Sequence, residues 1–305
     1  MYRHTKNLQF AVKVDKPDAL YAMKVQELIG GQFGEMTVMM QYLFQGWNCR
    51  IPGKYKDMIL DIGTEEIGHV EMLSTLVARL LEGAPSETTE KAAAANPVLA
   101  AVLGGMNPQH AIVSGGGALP ANSQGIPWNG GYIVASGNLL TDFRSNAHAE
   151  GQGRLQTSRL YNMTDDPGIK ATLGYNLARD TWHQQQWLLG IEQLQADGYA
   201  DIIEDSNFEN EDKVQDHTYW SFTEGSTAHE GRWAQGQTLI DEQEIIYQAE
   251  PVASGDIGLL PAPDPKLYGT YDGSMGKGKP GTGASATAQG IANVVNKVKG
   301  AVTPD

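Results

Sequence analysis

The sequence predicts an all-α protein, a four-helix bundle with a long crossover connection and an extended, largely irregular C-terminal arm. Four segments between residues 18 and 198 carry inward side chains at alternating steps of four and three residues, which is typical of the buried face of a bundle helix. A stretch rich in Gly, Ala and Pro separates the second segment from the third, and the helical period fades after Gly198.

Composition narrows the class of protein before any motif is considered. Of the 305 residues, 41% are hydrophobic, which is enough for a substantial core. The formal net charge of -14 argues against a nucleic-acid or anionic-membrane partner, because both attract positive surfaces. We find neither an apolar signal core near the N-terminus nor a run of about 18 apolar residues, so we expect a soluble, cytoplasmic protein.

The first two predicted helices follow an N-terminal arm over residues 1–17. The first spans about 18–47, with Leu28, Gln32, Glu35, Met39 and Tyr42 facing inward. The second spans about 54–81 and ends before Gly83-Ala84-Pro85. Its inward positions are Tyr55, Ile59, Ile62, Glu66, His69, Leu73, Leu76 and Leu80.

The last two helices follow a segment over about 83–134 that is too long for an ordinary loop. A crossover explains its length, because neighbouring parallel helices need a long connection. The third helix spans about 135–161. The fourth begins at Thr164-Asp165-Asp166-Pro167, an acidic N-cap region followed by a first-turn proline, and extends to about 195. These helices complete a predicted catalytic domain over 18–198. Residues 199–305 show no second core, and we predict that 272–305 is mobile or packed on a neighbouring subunit.

Five potential metal ligands interrupt the apolar faces of these four helices. Glu66 and His69 stand three apart, so helix geometry puts both on one face. An unpaired buried carboxylate costs several kcal/mol, and a shared cation is a favourable partner for it. The predicted ligands are Glu35, Glu66, His69, Glu150 and His183.

Two divalent cations and a bridging hydroxide nearly balance the three carboxylates of this set. Glu66 is the predicted bridge, with Glu35 and His69 on one ion and Glu150 and His183 on the other. Cys49 is the only cysteine, which excludes a thiolate cluster. Oxygen and imidazole ligands suit manganese or iron, and the ligands alone do not choose between the two metals.

Asp180 stands where a fourth metal-binding glutamate is expected, because the fourth helix carries Asp-x-x-His instead of Glu-x-x-His. Aspartate is one methylene shorter, so we predict that Asp180 is an acid/base beside the bridging oxygen and that a coordination position stays open for substrate. The alternatives are a metal ligand and a salt bridge with Arg154 or Arg179.

The order and spacing of these motifs resemble the manganese catalases of the ferritin-like superfamily. The residues that carry the resemblance are Gly34-Glu35 with Tyr42, Glu65-Glu66-Ile67-Gly68-His69, Glu150-Gly151-Gln152-Gly153-Arg154, Leu160-Tyr161-Asn162-Met163-Thr164-Asp165-Asp166-Pro167 and Ala178-Arg179-Asp180-Thr181-Trp182-His183. The resemblance implies two manganese ions per subunit, disproportionation of hydrogen peroxide to water and dioxygen, and a homohexamer. It also implies that Tyr42 lies near the substrate channel, whereas by itself Tyr42 reads as a packed core residue.

The resemblance further implies calcium at a subunit contact. Asp57 and Asp61 would provide carboxylates, and the loop with Ser221, Thr223 and Gly225 would complete the site. Ser221 and Thr223 depart from the family, which often has asparagine and serine at these positions. The alternative is an ordinary solvated helix face.

Two other functions are compatible with the same ligands. A ferritin-like di-iron oxidase or ferroxidase would share them, although it would favour a second Glu-x-x-His. A spore-coat-like structural or metal-storage protein would have the bundle with little turnover.

Overall fold

The computed structural model describes residues 4–51, 53–83, 98, 106–199, 217–239 and 242–250. The chain divides into two compact units, Met1–Glu209 and Asn210–Asp305. The first unit contains α1 (Ala19–Gly30), α2 (Glu35–Asn48), α3 (Lys54–Leu81), α4 (Pro108–Ile112), α5 (Leu139–Tyr161) and α6 (Pro167–Ala196). The predicted all-α architecture is therefore confirmed. None of the helices in the described ranges is both long and apolar enough to cross a lipid bilayer.

The start of α6 follows the predicted capping signal. The side chain of Asp166 accepts hydrogen bonds from the backbone N–H groups of Gly168 and Ile169, at 2.8 and 3.0 Å. Pro167 occupies the first turn, where its missing N–H leaves no intrahelical hydrogen bond unmade. This cap fixes where α6 begins and hence the register of Asp180 and His183 along it.

The predicted first helix is divided in two by a turn at residues 31–34. Gly34 permits this turn, because a Cβ atom there would lie 2.7 Å from the carbonyl oxygen of Leu28. The break places Glu35 in the first turn of α2. Gln32, which was predicted to face inward, lies in the turn and is exposed, so that prediction was wrong.

The long helices pack mainly in two pairs, α2 with α3 and α5 with α6. Buried apolar side chains form two clusters, one containing Leu73 and Leu173 and the other containing Ile62 and Trp187. Along α3, Glu66 and His69 fall between Ile62 and Leu73. Glu66 and His69 therefore have apolar core on both sides along the helix, which limits their access to water.

Buried amide side chains fasten the described part of the crossover to the bundle. Gln26 donates to the carbonyl oxygens of Leu119 and Ala121 at 2.5 and 2.7 Å. Gln41 accepts from the N–H of Val134 at 2.8 Å, and Gln45 donates to the carbonyl of the same residue at 2.7 Å. These bonds satisfy backbone groups that have no strand or helix partner. Residues 84–97 and 99–105 of the predicted crossover lie outside the described residues.

The second unit contains a parallel pair of short strands, β1 (Thr218–Trp220) and β2 (Ile246–Gln248). Tyr219 and Tyr247 occupy paired positions, and their rings stack with centroids 5.6 Å apart. The predicted tail over 272–305 lies outside the described residues, so its mobility and packing stay predictions.

Candidate metal centre

Glu66 lies between the two imidazoles of the cluster. Its Oε2 is 2.6 Å from Nδ1 of His69, and its Oε1 is 2.7 Å from Nδ1 of His183. All three side chains are fully buried. The two rings are nearly parallel, with centroids 5.5 Å apart. Each oxygen of one carboxylate thus faces one imidazole, with His69 provided by α3 and His183 by α6.

Each imidazole also has an outer carboxylate of its own. Oε2 of Glu35 is 3.5 Å from Nδ1 of His69, and Oε1 of Glu150 is 3.9 Å from Nδ1 of His183. Both glutamates are at least nine-tenths buried. The structure therefore brings together all five predicted ligands, from α2, α3, α5 and α6, around a shared Glu66.

Asp180 lies on the same side of the cluster as Glu35. Its Oδ1 is 3.7 Å from Nδ1 of His69, and its Oδ2 accepts from Nδ2 of Asn176 at 2.8 Å. The same Asn176 nitrogen donates to Oε1 of Glu35 at 2.8 Å. Asp180, Glu66, His69 and His183 offer ligand atoms that all lie within 4.8 Å of one another. Asp180 is thus close enough to act on whatever occupies the centre.

The two arginines that are alternative partners of Asp180 contact other side chains. Arg179 binds Glu65 through two nitrogens, and Arg154 donates to Gln184. The contacts of the described residues therefore leave Asp180 facing the imidazole and Asn176 without a salt bridge to either arginine.

Tyr42 is in direct contact with a predicted ligand. Its hydroxyl donates to Oε1 of Glu150 at 2.6 Å, and its ring packs against Trp187 with centroids 4.8 Å apart. The side chain is fully buried. Tyr42 thus combines a core position with a hydrogen bond that fixes one oxygen of Glu150.

Burial and mutual repulsion raise the pKa of three carboxyl groups of this cluster, those of Glu35, Glu150 and Asp180. Burial, and after it the charge of Glu66, raises the pKa of Glu150 to about 8. Burial and then the charges of Glu35 and Glu150 raise the pKa of Asp180 well above its usual range. Burial lowers the pKa of His183, but the carboxylates of Glu66, Glu65 and Glu150 together outweigh this effect and raise it to about 10. The cluster therefore favours positive charge among its carboxyl groups and imidazoles, whether protons or metal cations supply it.

The unpartnered polar atoms of the cluster fit bound cations. Both oxygens of Glu66, both nitrogens of each imidazole and Oδ1 of Asp180 are buried without a hydrogen-bond partner among the described residues. The short distances from Glu66 to the imidazoles do not have hydrogen-bond geometry. Because buried polar atoms are normally partnered, lone pairs that converge in this way indicate a ligand set. Carboxylate oxygen and imidazole nitrogen donors, without a thiolate, suit manganese or iron.

Three residues around the centre were not predicted as site residues. Glu65 faces both imidazoles from the outer side, Arg179 holds Glu65, and Asn176 joins Glu35 to Asp180. Helix spacing gave a partial signal, because Glu65 precedes His69 by four residues and Asn176 precedes Asp180 by four. The contacts across helices that define their roles required the structure.

The residues of the predicted calcium site are divided between the two units of the chain. Asp57 and Asp61 are exposed one turn apart on α3. In the second unit Ser221 is buried, Thr223 and Gly225 are exposed, and Gly225 has a positive φ of 67°. The calcium site stays a prediction.

Comparisons with known proteins point to one family. Residues 1–289 match the family described as manganese containing catalase. The chain is 51% identical over 266 residues to an uncharacterised protein, YjqC, of Bacillus subtilis strain 168, covering 86% of this chain and 95% of that protein. It is 50% identical over 273 residues to a manganese catalase of the same organism, covering 90% and 99% of the two chains.

A solved structure has the same fold. KatB, a manganese catalase from Anabaena, superposes with a TM-score of 0.63 and 24% sequence identity. The match covers 82% of this chain and 100% of KatB. The likeness extends well beyond the ligand-bearing helices.

Proposed function

Because the chain belongs to the family of manganese containing catalases, we propose that it converts two molecules of hydrogen peroxide to water and dioxygen at two manganese ions held in the bundle. The single observation that carries this assignment is the buried Glu66 carboxylate, which faces both imidazoles with oxygens that lack hydrogen-bond partners. When bound, the metal pair supplies two-electron redox chemistry, which the protein side chains lack.

The proposed ligand assignment is symmetrical about Glu66. Glu35 and His69 hold one ion, and Glu150 and His183 hold the other. The distances support this division, because each outer carboxylate lies within 4 Å of the imidazole assigned to the same ion. Glu66 would bridge the ions, because one of its oxygens faces each imidazole. Three carboxylates and a hydroxide nearly neutralise two divalent cations, which makes burial of the charges tolerable.

Asp180 is the proposed acid/base. Asn176 holds its Oδ2, which leaves Oδ1 free to accept a proton from peroxide and return it to the departing oxygen. Burial and then the charges of Glu35 and Glu150 raise its pKa, which favours uptake of a proton by this carboxyl group. Tyr42 positions Glu150 by donating a hydrogen bond to Oε1 and lies in the proposed approach of substrate to the centre.

Oxygen release combined with metal analysis tests the function. Protein produced in manganese-supplemented medium should hold two manganese ions per chain and release one dioxygen for every two peroxide molecules consumed. His183→Gln should lose manganese and activity, whereas His148→Gln, an exposed histidine on α5, should keep both. Iron with consumption of dioxygen would indicate an oxidase or ferroxidase instead. Bound metal without turnover would indicate a storage or structural protein.

A homohexamer, a cytoplasmic location and bound calcium complete the proposed description of the protein. The hexamer and calcium follow from the family resemblance. The exposed pair Asp57 and Asp61 supports a calcium contact, since carboxylates one helical turn apart can share a cation. Measuring the mass of the assembly with and without a calcium chelator tests the hexamer and calcium together. If calcium holds a subunit contact, the chelator should lower the mass of the assembly. The double substitution Asp57→Asn with Asp61→Asn should lower it in the same way.

A further inference from the structure

Glu65 faces both imidazoles from the side opposite Glu66. Its Oε1 is 3.6 Å from Nε2 of His69, and its Oε2 is 3.3 Å from Nε2 of His183. These contacts have ion-pair distances, slightly longer than hydrogen bonds. Neither Nε2 atom has a hydrogen-bond partner among the described residues. Glu65 is therefore the acceptor toward which both buried Nε2 atoms point.

Arg179 fixes the position of this carboxylate. Its Nε donates to Oε1 of Glu65 at 2.5 Å, and its Nη2 donates to Oε2 at 2.9 Å. The paired geometry holds the carboxylate in one orientation. Each oxygen of Glu65 thus has one guanidinium nitrogen and one imidazole nitrogen around it. Both residues stand at the edge of a cavity of about 610 Å³ between the N-terminal arm and the helices.

The orientation of the carboxylate determines which imidazole nitrogen is free. A neutral imidazole that carries its proton on Nε2 presents the Nδ1 lone pair, and Nδ1 is the atom that faces Glu66 in both histidines. An acceptor behind a metal-binding histidine fixes this tautomer and raises the basicity of the ligand. One carboxylate can do so for both rings only because it has two equivalent oxygens.

We infer that Glu65, held by Arg179, is a positioning residue that fixes the Nδ1 ligands of both metal ions at once. This inference rests on the proposed function, since it takes His69 and His183 as ligands to two manganese ions. Its consequence is that one side chain that binds no metal controls the affinity for both ions together.

Glu65→Gln is the direct test, because glutamine keeps the size of the side chain but offers one acceptor and an NH₂ group. The amide turns a donor toward one imidazole, and its neutral oxygen is a weaker acceptor for the other than a carboxylate oxygen, so neither ring keeps the acceptor that Glu65 provides. The matched control is Glu71→Gln, since Glu71 lies on α3 beside the same cavity but pairs with His4 at 2.9 Å. Equilibrium dialysis against manganese(II), followed by metal analysis, measures the affinity for each ion.

We expect Glu65→Gln to raise both manganese dissociation constants, by roughly 10–100-fold, while Glu71→Gln leaves both unchanged. In zinc(II)-loaded protein with ¹⁵N-labelled histidine, the two Nε2–H protons should exchange slowly in the wild type and rapidly in Glu65→Gln. Purely structural damage would not single out these protons. Wild-type affinity for both ions in Glu65→Gln, or weakening of only one ion, would overturn the inference.

Arg179→Gln provides a second route if Glu65→Gln does not fold. Loss of the guanidinium frees the carboxylate, so both dissociation constants should rise, and unchanged constants would contradict the inference. Oxygen release by the wild type separates this result from the proposed function. A wild type that binds two manganese ions and releases oxygen keeps the proposed function even if Glu65→Gln behaves normally.

Discussion

At the scale of single residues, the proposed centre depends on which carboxylates bind the metals and which contact only the side chains that do. The five ligands were predictable because each one interrupts an apolar helix face, where a charged group needs a partner. Glu65 and Asn176 were missed because each also binds a side chain from another helix, Arg179 and Glu35 respectively. Glu65 and Arg179, for example, are 114 residues apart in sequence. Spacing along one helix predicts a ligand, whereas the surrounding hydrogen bonds depend on how helices pack.

Asp180→Asn tests the acid/base assignment. Asparagine keeps the size of the side chain but cannot accept a proton, so we expect two bound manganese ions and a kcat reduced by about 10²–10⁴-fold. Metal analysis and initial rates of oxygen release provide the measurement. Asp165→Asn, at an exposed aspartate before α6, should behave as the wild type. Loss of one manganese ion in Asp180→Asn would show that Asp180 is a ligand.

The raised pKa values of two predicted ligands indicate that manganese binding depends on pH. His183, with a pKa raised to about 10, and Glu150, with a pKa raised to about 8, are both largely protonated at neutral pH and must lose their protons to bind metal. Manganese affinity should therefore rise with pH, and binding should release protons. Calorimetric titration in buffers with different ionisation enthalpies counts these protons. An affinity that does not change with pH would contradict the assignment of these two ligands.

At the scale of helices, the sequence predicts where a helix forms and which of its faces is buried better than whether the helix is continuous. The bounds of α3 agree with the prediction, and all of its predicted inward positions are buried. The break between α1 and α2 was missed, because the four-three pattern continues across residues 31–34. That turn depends on a close backbone approach at Gly34, which is a property of the folded chain.

Replacing each of two glycines on α6 with alanine tests the packing of the bundle, because one glycine is crowded by neighbouring side chains and the other is not. A Cβ atom at Gly190 would lie 2.9 Å from the ring of Phe143, so Gly190→Ala should lower the free energy of unfolding, by about 1–3 kcal/mol. At Gly174 the nearest side-chain atom lies 3.9 Å away, on Tyr161. Gly174→Ala should therefore increase the free energy of unfolding, by about 0.5–1 kcal/mol, because alanine favours helix.

Urea denaturation of the metal-free proteins measures both effects, and circular dichroism checks that the helices are retained. Equal effects of the two substitutions would contradict the packing described around Gly190.

At the scale of the whole molecule, the polar centre is possible because the helices carry apolar core on both sides of it. The clusters around Leu73 and Ile62 leave the ligands buried, so that their charges require cations. The sequence predicted this arrangement from the position of the ligands along each helix. The way in which Gln26, Gln41 and Gln45 fasten the crossover was not predictable, because their partners are backbone groups of an irregular segment.

The most direct test of the central claim is anomalous diffraction at the manganese absorption edge from crystals of the manganese-loaded protein. We predict two peaks, one on each side of the Glu66 carboxylate. One should lie within bonding distance of Glu35 and Nδ1 of His69, and the other within bonding distance of Glu150 and Nδ1 of His183. Three results would contradict a dinuclear centre built on these five residues: a single peak, a manganese ion bound to Nε2 of His69 or His183 instead of Nδ1, or no manganese at the cluster.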